Sequence, residues 1–595
     1  MDRDKHEIVI RLTGDSGDGM QLVGEQLKII ATLNGKEVRT LPDYPAEIRA
    51  PAGTLGGVSG FQLAIADVQI FTAGEELDVL VALNPAALKQ AVSYLKPGGL
   101  IIINEEAFTP KDYQKAQVAE NILETLCAHH QIIAVPLISQ TVSALEGINV
   151  THAEAKKAKN FYILGLVLWL FDLPIEACET FIKRKFLKPE IALANIKALQ
   201  TGFNYAMTVE LSRQGYQLGE ITREAGEYRH VSGIDALTMA LATLTVKTGT
   251  PMLVAGYPIT PASGILQACA KLKPFGIDLF QAEDEIAAIC ACLGASYGGR
   301  LALTCTSGPG LDLKSEALGL GVMTELPMVL VDVQRAGAST GLPTKTGQSD
   351  LLQALYGRHG EAPMPVIAAK SPGDCFQTLL DAFYIAVKYM TPVTVLMDAY
   401  LANASEPWKI PDAEDCLVPE IIFNRHPKPF TRDEHLARSW NVPGEGGHVY
   451  QVGGLEKEGE LGKVSYDADN YQHMVKLRAQ KIANIQADIA PVEIEGCKQA
   501  SKVVVTWGST YNVMKALFSQ YPTVDIAWIH LKHLNPLPSD LGGILKQYKN
   551  VLVAELNTGH LCQVIRANYL VDAKSISACT GMPFTVSQLY EAITS

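Results

Sequence analysis

Short apolar runs recur along this chain, each followed by a glycine- or proline-bearing turn and then by a stretch of helical periodicity. In the first segment Ile8-Val9-Ile10-Arg11-Leu12 predicts a strand, Gly14-Asp15-Ser16-Gly17-Asp18-Gly19 a tight turn, and Met20 to Leu33 a helix. Further strands are predicted at Gly60–Ile65, Val79–Leu83 and Leu100–Ile103, with a helix over Ala86–Leu95. The middle of the chain repeats the scheme. Met252–Ala255, Leu301–Thr306 and Met328–Val331 read as strands, and Ile286–Ser296 as a helix of small residues. Lys502–Trp507, Asp525–Leu531 and Val551–Glu555 are strands of a last unit. Strand–helix alternation of this kind predicts an α/β protein of three βαβ domains with mostly parallel sheets. The expected divisions are 1–200, 228–410 and 496–595. Residues 411–495 form a linker or interface region rich in Pro, Gly, Asp, Glu and His, with one polar helix over Tyr471–Asn484.

Composition narrows the function classes. The net charge of −13 argues against a nucleic-acid surface. The apolar run Phe161–Phe171 is too short to span a bilayer and predicts a buried helix. The first residues lead straight into a strand without the apolar core of a signal peptide, so a cytoplasmic location is expected. The 11 cysteines include no C-x-x-C pair, and Cys290 and Cys292 point away from each other on a helix. They are expected to be buried free thiols, which leaves the chain without an iron–sulfur cluster of its own.

Candidate chemistry gathers in the middle domain. In Tyr257-Pro258-Ile259-Thr260-Pro261-Ala262-Ser263 two prolines fix the backbone around Thr260 at the mouth of a strand, where open α/β sheets bind ligands. Thr260 or Ser263 is expected to cap the helix that follows. Glu283-Asp284-Glu285 opens the small-residue helix, where acidic groups oppose the helix dipole. Arg335 follows a strand, at a place where a guanidinium can grip a carboxylate with two parallel hydrogen bonds. Ser307-Gly308-Pro309-Gly310, also at a strand exit, offers backbone amides to a ligand. The Gly14–Gly19 turn has the pattern G-x-x-G-x-G rather than the dinucleotide pattern G-x-G-x-x-G, and is expected to be an anion-cradling nest.

Tyr257-Pro258-Ile259-Thr260-Pro261 resembles the YPITP motif of the 2-oxoacid:ferredoxin oxidoreductases. Asp43-Tyr44-Pro45-Ala46-Glu47-Ile48-Arg49-Ala50, Asn84–Leu88 and Lys96–Gly99 resemble turns of that family's gamma domain. Glu47 and Arg49 read equally well as an ion pair. The loop Leu342-Pro343-Thr344-Lys345-Thr346-Gly347-Gln348 resembles the form that prefers 2-oxoglutarate. The resemblance covers nearly the whole chain and implies a fused gamma–alpha subunit. Residues 1–200 would be the gamma domain, to which coenzyme A contact is sometimes attributed. Residues 228–410 would be the pyrimidine-side thiamine diphosphate domain, and 496–595 a transketolase C-terminal-like domain without a catalytic role.

The resemblance further implies that Tyr257, Pro258, Ile259, Thr260, Ser307 and Gly308 contact thiamine diphosphate. Thr260 would also bond the substrate. Glu285, with Glu283 as the alternative, would bond the aminopyrimidine ring nitrogen and promote the tautomer that removes the C2 proton. Arg335 would hold the carboxylate beside the keto group, and Thr344 and Lys345 a second carboxylate. Gly17-Asp18-Gly19 is not followed by the Asn-Asn pair of the diphosphate signature, since Asn34 stands alone, so no metal is expected in this chain. A beta subunit would bring Mg²⁺ and a 4Fe-4S cluster, coenzyme A would be co-substrate, and ferredoxin would take the electrons from a dimer of heterodimers. The implied reaction is 2-oxoglutarate, coenzyme A and oxidised ferredoxin to succinyl-CoA, CO₂ and reduced ferredoxin, or its reverse. A sister enzyme for pyruvate or branched 2-oxoacids is an alternative. A non-catalytic nucleotide- or CoA-binding regulatory protein is a distant one.

Overall fold

The opening apolar run builds β1 (Glu7–Asp15), whose positions 8 to 14 are all buried. A strand covered on both faces needs a continuous apolar run rather than alternation. The computed structural model describes residues 5–45, 50–209, 211, 216–444, 450 and 452–595; Glu47 and Arg49 lie outside them. The chain divides into two compact units, Met1–His230 and Val231–Ser595.

The first unit is a six-stranded sheet of β1, β2 (Glu37–Asp43), β3 (Val58–Ala66), β4 (Leu77–Ala82), β5 (Leu95–Asn104) and β6 (Gln131–Val135), in the order β2-β3-β1-β4-β5-β6. β1, β4, β5 and β6 pair in parallel, whereas β3 runs antiparallel to both β1 and β2. Five strands therefore run in one direction, as expected of a largely parallel sheet, and β3 alone is reversed. Among the described residues between β2 and β3 the one helical element is the 3-10 turn Leu55–Gly57, and a parallel return would need a crossover. A helix spans Met20–Leu33 as predicted. The one expected over Ala86–Leu95 is shorter, Pro85–Ala91, because Leu95 already begins β5. Asn84 caps it by accepting from Ala87 N at 2.9 Å. The apolar run near residue 165 lies in the helix Lys159–Leu170, buried nearly all round.

The glycine turn of this unit is closed by its own acids. Asp18 Oδ2 accepts from Asp15 N at 2.9 Å, and Oδ1 accepts from Lys159 Nζ at 2.8 Å. The Asp15 carboxylate accepts from Gly53 N. The expected anion nest thus carries an internal carboxylate already neutralised by a lysine.

After β7 (Tyr228–Ser232), the second unit holds β8 (Met252–Gly256), β9 (Ile277–Gln281), β10 (Leu301–Thr306), β11 (Met328–Gln334), β12 (Val366–Ala368), β13 (Pro392–Asp398) and β14 (Ser405–Lys409). It continues with β15 (Glu495–Gly496), β16 (Lys502–Trp507), β17 (Ala527–Leu531), β18 (His533–Asn535), β19 (Asn550–Glu555) and β20 (Ala573–Ser577). The central sheet has the order β18-β12-β13-β11-β10-β8-β9. All of its pairs are parallel except β12–β18. Its outer strand β18 comes from the last segment of the chain, so the central and C-terminal segments share a sheet. The second sheet, β15-β17-β16-β19-β20, is parallel apart from the short β15.

The region read as a linker packs into this unit. Cys416, Phe430, Ala437 and Trp440 are buried. Its polar composition serves an internal ion network: Arg432 and Lys481 both bond the Glu325 carboxylate. Burial alone would raise that carboxyl, but the two cations hold it well below the usual range. The polar helix is Ala468–Asn484. All 11 cysteines are free; Cys127, Cys290 and Cys579 are exposed, against the expectation that the thiols are buried. Among the described residues no helix is long and apolar enough to cross a membrane.

Candidate active site

Four strand exits of the central sheet, those of β8, β9, β10 and β11, carry the candidate residues. β8 ends at Gly256, and Tyr257 begins the loop to the helix Ser263–Cys269. Neither expected cap forms. Ala262 occupies the cap position in a helical conformation, and Ser263 is the first helical residue. The Ser263 hydroxyl instead accepts from Ile259 N and donates to Ile259 O, both at 2.8 Å, closing the loop on itself. The Thr260–Pro261 peptide is cis. Thr260 is exposed, and its carbonyl accepts from Arg335 Nη1 at 2.8 Å. Arg335 is only 8% exposed, and its Nε is buried without a partner. The structure therefore joins Arg335 to the Thr260 loop across 75 residues of sequence.

At the β10 exit the Thr306 hydroxyl lies 2.8 Å from the Tyr257 hydroxyl. Ser307 is completely buried and its Oγ has no partner. Gly310, one turn on, could not carry a side chain. A Cβ there would stand 2.1 Å from both Thr306 Oγ1 and Tyr257 Oη, and 2.9 Å from Glu285 Cγ. Three polar side chains thus converge over one glycine. The sequence displays that glycine, but only the folded geometry shows why it must be one. Gly308 likewise leaves room for Asp350, whose Oδ1 would lie 2.8 Å from a Cβ.

Past the β9 exit, Asp284 caps the helix Glu285–Tyr297 by accepting from Ala287 N at 2.8 Å. Its role is structural, and Glu283 stays exposed before the cap. Glu285 takes the first helical position, half-buried, with its side chain over Gly310. Its main-chain oxygen accepts from Lys314 Nζ at 2.6 Å. Sequence reasoning missed Lys314, because a lysine beside Ser315 and Glu316 reads as surface. It is wholly buried, its Nζ lies 5.1 Å from the centre of the Tyr257 ring, and burial pushes its ammonium down to about 8. Burial also raises the Tyr257 phenol well above its usual range.

Beyond Arg335 the chain folds back on itself. Leu342 N donates to Ala336 O at 2.8 Å, and Ala336 N to Lys345 O at 3.0 Å, so Lys345 is hydrogen-bonded to the residue after Arg335. Thr344 is half-buried. The C-terminal domain pins this loop: Thr346 N donates to Gly581 O, Gln348 Nε2 to Trp507 O, and Asn557 Nδ2 to Gln348 O. Lys345 packs against Gly581, where a Cβ would stand 2.9 Å from the Lys345 Cβ. A cleft of about 880 Å³ borders the loop, lined in part by Asp312, Ser339, Asp350 and His560. Under it lies a pair of carboxyl groups, Asp332 at the β11 exit and Asp350. Asp332 is completely buried, and no protein N–H or O–H donor reaches either of its oxygens. Burial, and the proximity of the Asp350 carboxyl, push it well above the usual range.

Residues 9–205 match the family described as pyruvate ferredoxin/flavodoxin oxidoreductase. Residues 245–475 match the one described as pyruvate flavodoxin/ferredoxin oxidoreductase, thiamine diphosphate-binding. The 2-oxoglutarate oxidoreductase subunit KorA of Mycobacterium tuberculosis is 46% identical over 99% of this chain and 91% of its own length. Subunit alpha of 2-oxoacid:ferredoxin oxidoreductase 2 of Aeropyrum pernix is 26% identical over 97% of this chain and 96% of its own. A solved 2-oxoglutarate:ferredoxin oxidoreductase from Magnetococcus marinus, with 2-oxoglutarate, coenzyme A and succinyl-CoA bound, superposes with a TM-score of 0.85. It shares 30% identity and covers 99% of this chain and 100% of that one. The chain belongs to the 2-oxoacid:ferredoxin oxidoreductase family.

Proposed function

We propose that this chain is the alpha subunit of a cytoplasmic, thiamine-dependent 2-oxoglutarate:ferredoxin oxidoreductase, with a gamma domain at its N-terminus. The observation that carries the reading is the convergence of Tyr257, Thr306 and Glu285 over Gly310, with Arg335 bonded to the neighbouring Thr260 loop. These residues fit the pyrimidine side of thiamine diphosphate. A side chain at Gly310 would fill the cradle, and two buried polar atoms beside it, Ser307 Oγ and Arg335 Nε, lack partners. When bound, the cofactor supplies a carbon nucleophile for the keto group and an electron sink for decarboxylation.

The chain's own residues do the rest. Glu285 exchanges a proton with the ring nitrogen of the aminopyrimidine from a position partly withdrawn from water. Tyr257, Pro258, Ile259 and Thr260 form the wall against that ring, and Ser307 and Gly308 close it from the β10 side. Arg335, already oriented by the Thr260 carbonyl, donates to the substrate carboxylate next to the keto carbon. Thr344 and Lys345, on the loop folded back beside Arg335, meet the second carboxylate of 2-oxoglutarate.

Glu285 is half exposed, and Phe280, Ile286 and Leu313 around it are 44%, 52% and 54% exposed. That open apolar rim supports a partner chain closing over the cofactor. The partner would be a beta subunit carrying the diphosphate site, Mg²⁺ and a 4Fe-4S cluster, in a dimer of heterodimers that accepts coenzyme A and reduces ferredoxin. The test is co-expression with a beta chain of this family. A brown complex that binds thiamine diphosphate and reduces a low-potential acceptor only with both 2-oxoglutarate and coenzyme A is expected. Equal rates with pyruvate would overturn the substrate assignment. An iron–sulfur spectrum from this chain alone would overturn the division of labour.

A further inference from the structure

Lys314 sits where no fold requirement explains a charge. It lies between the helices Gly308–Leu313 and Ser315–Thr324, and its side chain is completely buried. An ammonium offers three donors. Among the described residues the one acceptor it reaches is the main-chain oxygen of Glu285, at 2.6 Å. The groups that face it can be named element by element. From the β8 exit comes the Tyr257 ring, a neutral phenol. From β10 comes Cys305 and from the helix Glu285–Tyr297 comes Cys292, both thiols pushed up to about 12 by burial and hence protonated. The carboxyl groups that face it are those of Glu285 and Asp284, at the start of that same helix. A methionine would fill this space without dehydrating a charge.

We propose that Lys314 is a positioning residue for Glu285: tethered to the Glu285 carbonyl, it fixes the first turn of the helix from which the Glu285 side chain reaches over Gly310. The inference rests on the functional reading above. Loss of the tether should misplace the carboxyl group and slow the proton exchange. Lys314 does not reach the substrate arginine, so substrate affinity is not its concern. It also weakens the fold. An amine whose folded-state pKa lies near 8, against 10.5 when unfolded, destabilises the chain fully below pH 8, and that burden lifts as pH rises from 8 to 10.5. Replacing it should therefore help stability and harm function.

The experiment compares wild type, Lys314→Met and Lys314→Arg. Thermal unfolding of the chain alone is followed from pH 6 to 10. The assembled complex with its beta partner is then followed by kcat and by KM for 2-oxoglutarate. Lys314→Met should unfold no lower than wild type below pH 8. Its kcat should fall about tenfold or more with KM unchanged. Lys314→Arg, which keeps a donor for the Glu285 carbonyl, should recover part of the lost kcat. A Lys314→Met chain that unfolds well below wild type makes Lys314 a structural residue, and the proposal falls without any reference to cofactor. A stable variant with the wild-type kcat also sinks it. A wild-type complex that binds no thiamine diphosphate sinks the functional reading itself, and this proposal with it.

Discussion

A glycine loop at the end of β1 and another at the end of β10, one in each unit, both lead into a helix. At Gly14–Gly19 the chain supplies its own anion: Asp18 bonds the Asp15 amide and pairs with Lys159, and Asp15 bonds Gly53. At Ser307–Gly310 no carboxylate of the loop turns inward. The Ser307 hydroxyl is buried without a partner, and side chains from two other strand exits come to rest over Gly310. A buried polar atom without a partner is expensive unless a ligand supplies one. Local pattern alone, strand then glycines then helix, does not separate these loops. What separates them is whether the polar atoms are already satisfied.

The sharpest contrast comes from equivalent substitutions in the two loops. Glu285→Gln should lower kcat by about 10²-fold or more with the fold intact, because an amide cannot exchange the proton. Asp18→Asn should leave turnover near wild type and lower stability by no more than about 1 kcal/mol, since its pair with Lys159 is partly exposed. Steady-state rates and thermal melts on both variants decide it. If Glu283→Gln, and not Glu285→Gln, silences the enzyme, the helix register assumed for the catalytic carboxyl is wrong.

Glycine replacement sharpens the same point. Gly310→Ala places a methyl group within 2.1 Å of two oxygens and should abolish thiamine diphosphate binding, measured by equilibrium dialysis of the complex. Gly17→Ala meets open space and suffers only its left-handed backbone, φ 103°, worth about 1–2 kcal/mol of stability.

Arg335→Ala should raise KM for every 2-oxoacid by an amount worth about 2–5 kcal/mol, the usual loss when one partner of a buried charged pair is removed. Thr344→Val and Lys345→Met should penalise 2-oxoglutarate more than pyruvate. A uniform penalty across a substrate panel would remove the specificity role from this loop.

The carboxyl pair under the cleft is read through pH-dependent stability. Burial raises the Asp350 carboxyl to about 6, from 3.8. Between those values the folded chain holds a proton that the unfolded chain releases, so stability falls as pH climbs through the window. Asp350→Asn should flatten that decline in part, with the buried Asp332 carboxyl keeping its own share, read from chemical denaturation at pH 4, 5.5 and 7. An unchanged slope would place the shared proton elsewhere.

Much of the frame was legible before folding. Periodicity located the helix Met20–Leu33 to the residue, and the apolar runs located β1, β8, β10, β16 and β19. These elements are buried on their working faces, so their sequences carry little besides packing. β2, Glu37–Asp43, escaped because charged residues interrupt its run: Glu37 and Arg39 are buried against each other, and Arg223 joins them. The region 411–495 read as a linker for the same reason, since the charges it buries around Glu325 look solvated on paper. At the candidate site the strand exits announced Thr260, Ser307 and Arg335. Gly310's necessity and Lys314's burial arise only from contacts across strands. Likewise, the C-terminal segment, read as a domain without a catalytic role, anchors the loop through Gln348, Asn557 and Gly581.

The antiparallel strand β18 gives this chain a timetable. β12 ends at Ala368, and its outer neighbour is not synthesised until His533–Asn535. At ribosomal speeds of 5–20 residues per second, the intervening stretch of roughly 165 residues takes about ten to thirty seconds. Throughout that interval one edge of the nascent central sheet presents unpaired backbone groups, the kind of surface that recruits a foreign strand. Premature termination anywhere between 400 and 530, after β13 has joined β12 to the sheet, would make that exposure permanent. Truncated products of this gene should therefore be scavenged by chaperones or collect in aggregates, rather than persist as a half-functional thiamine domain.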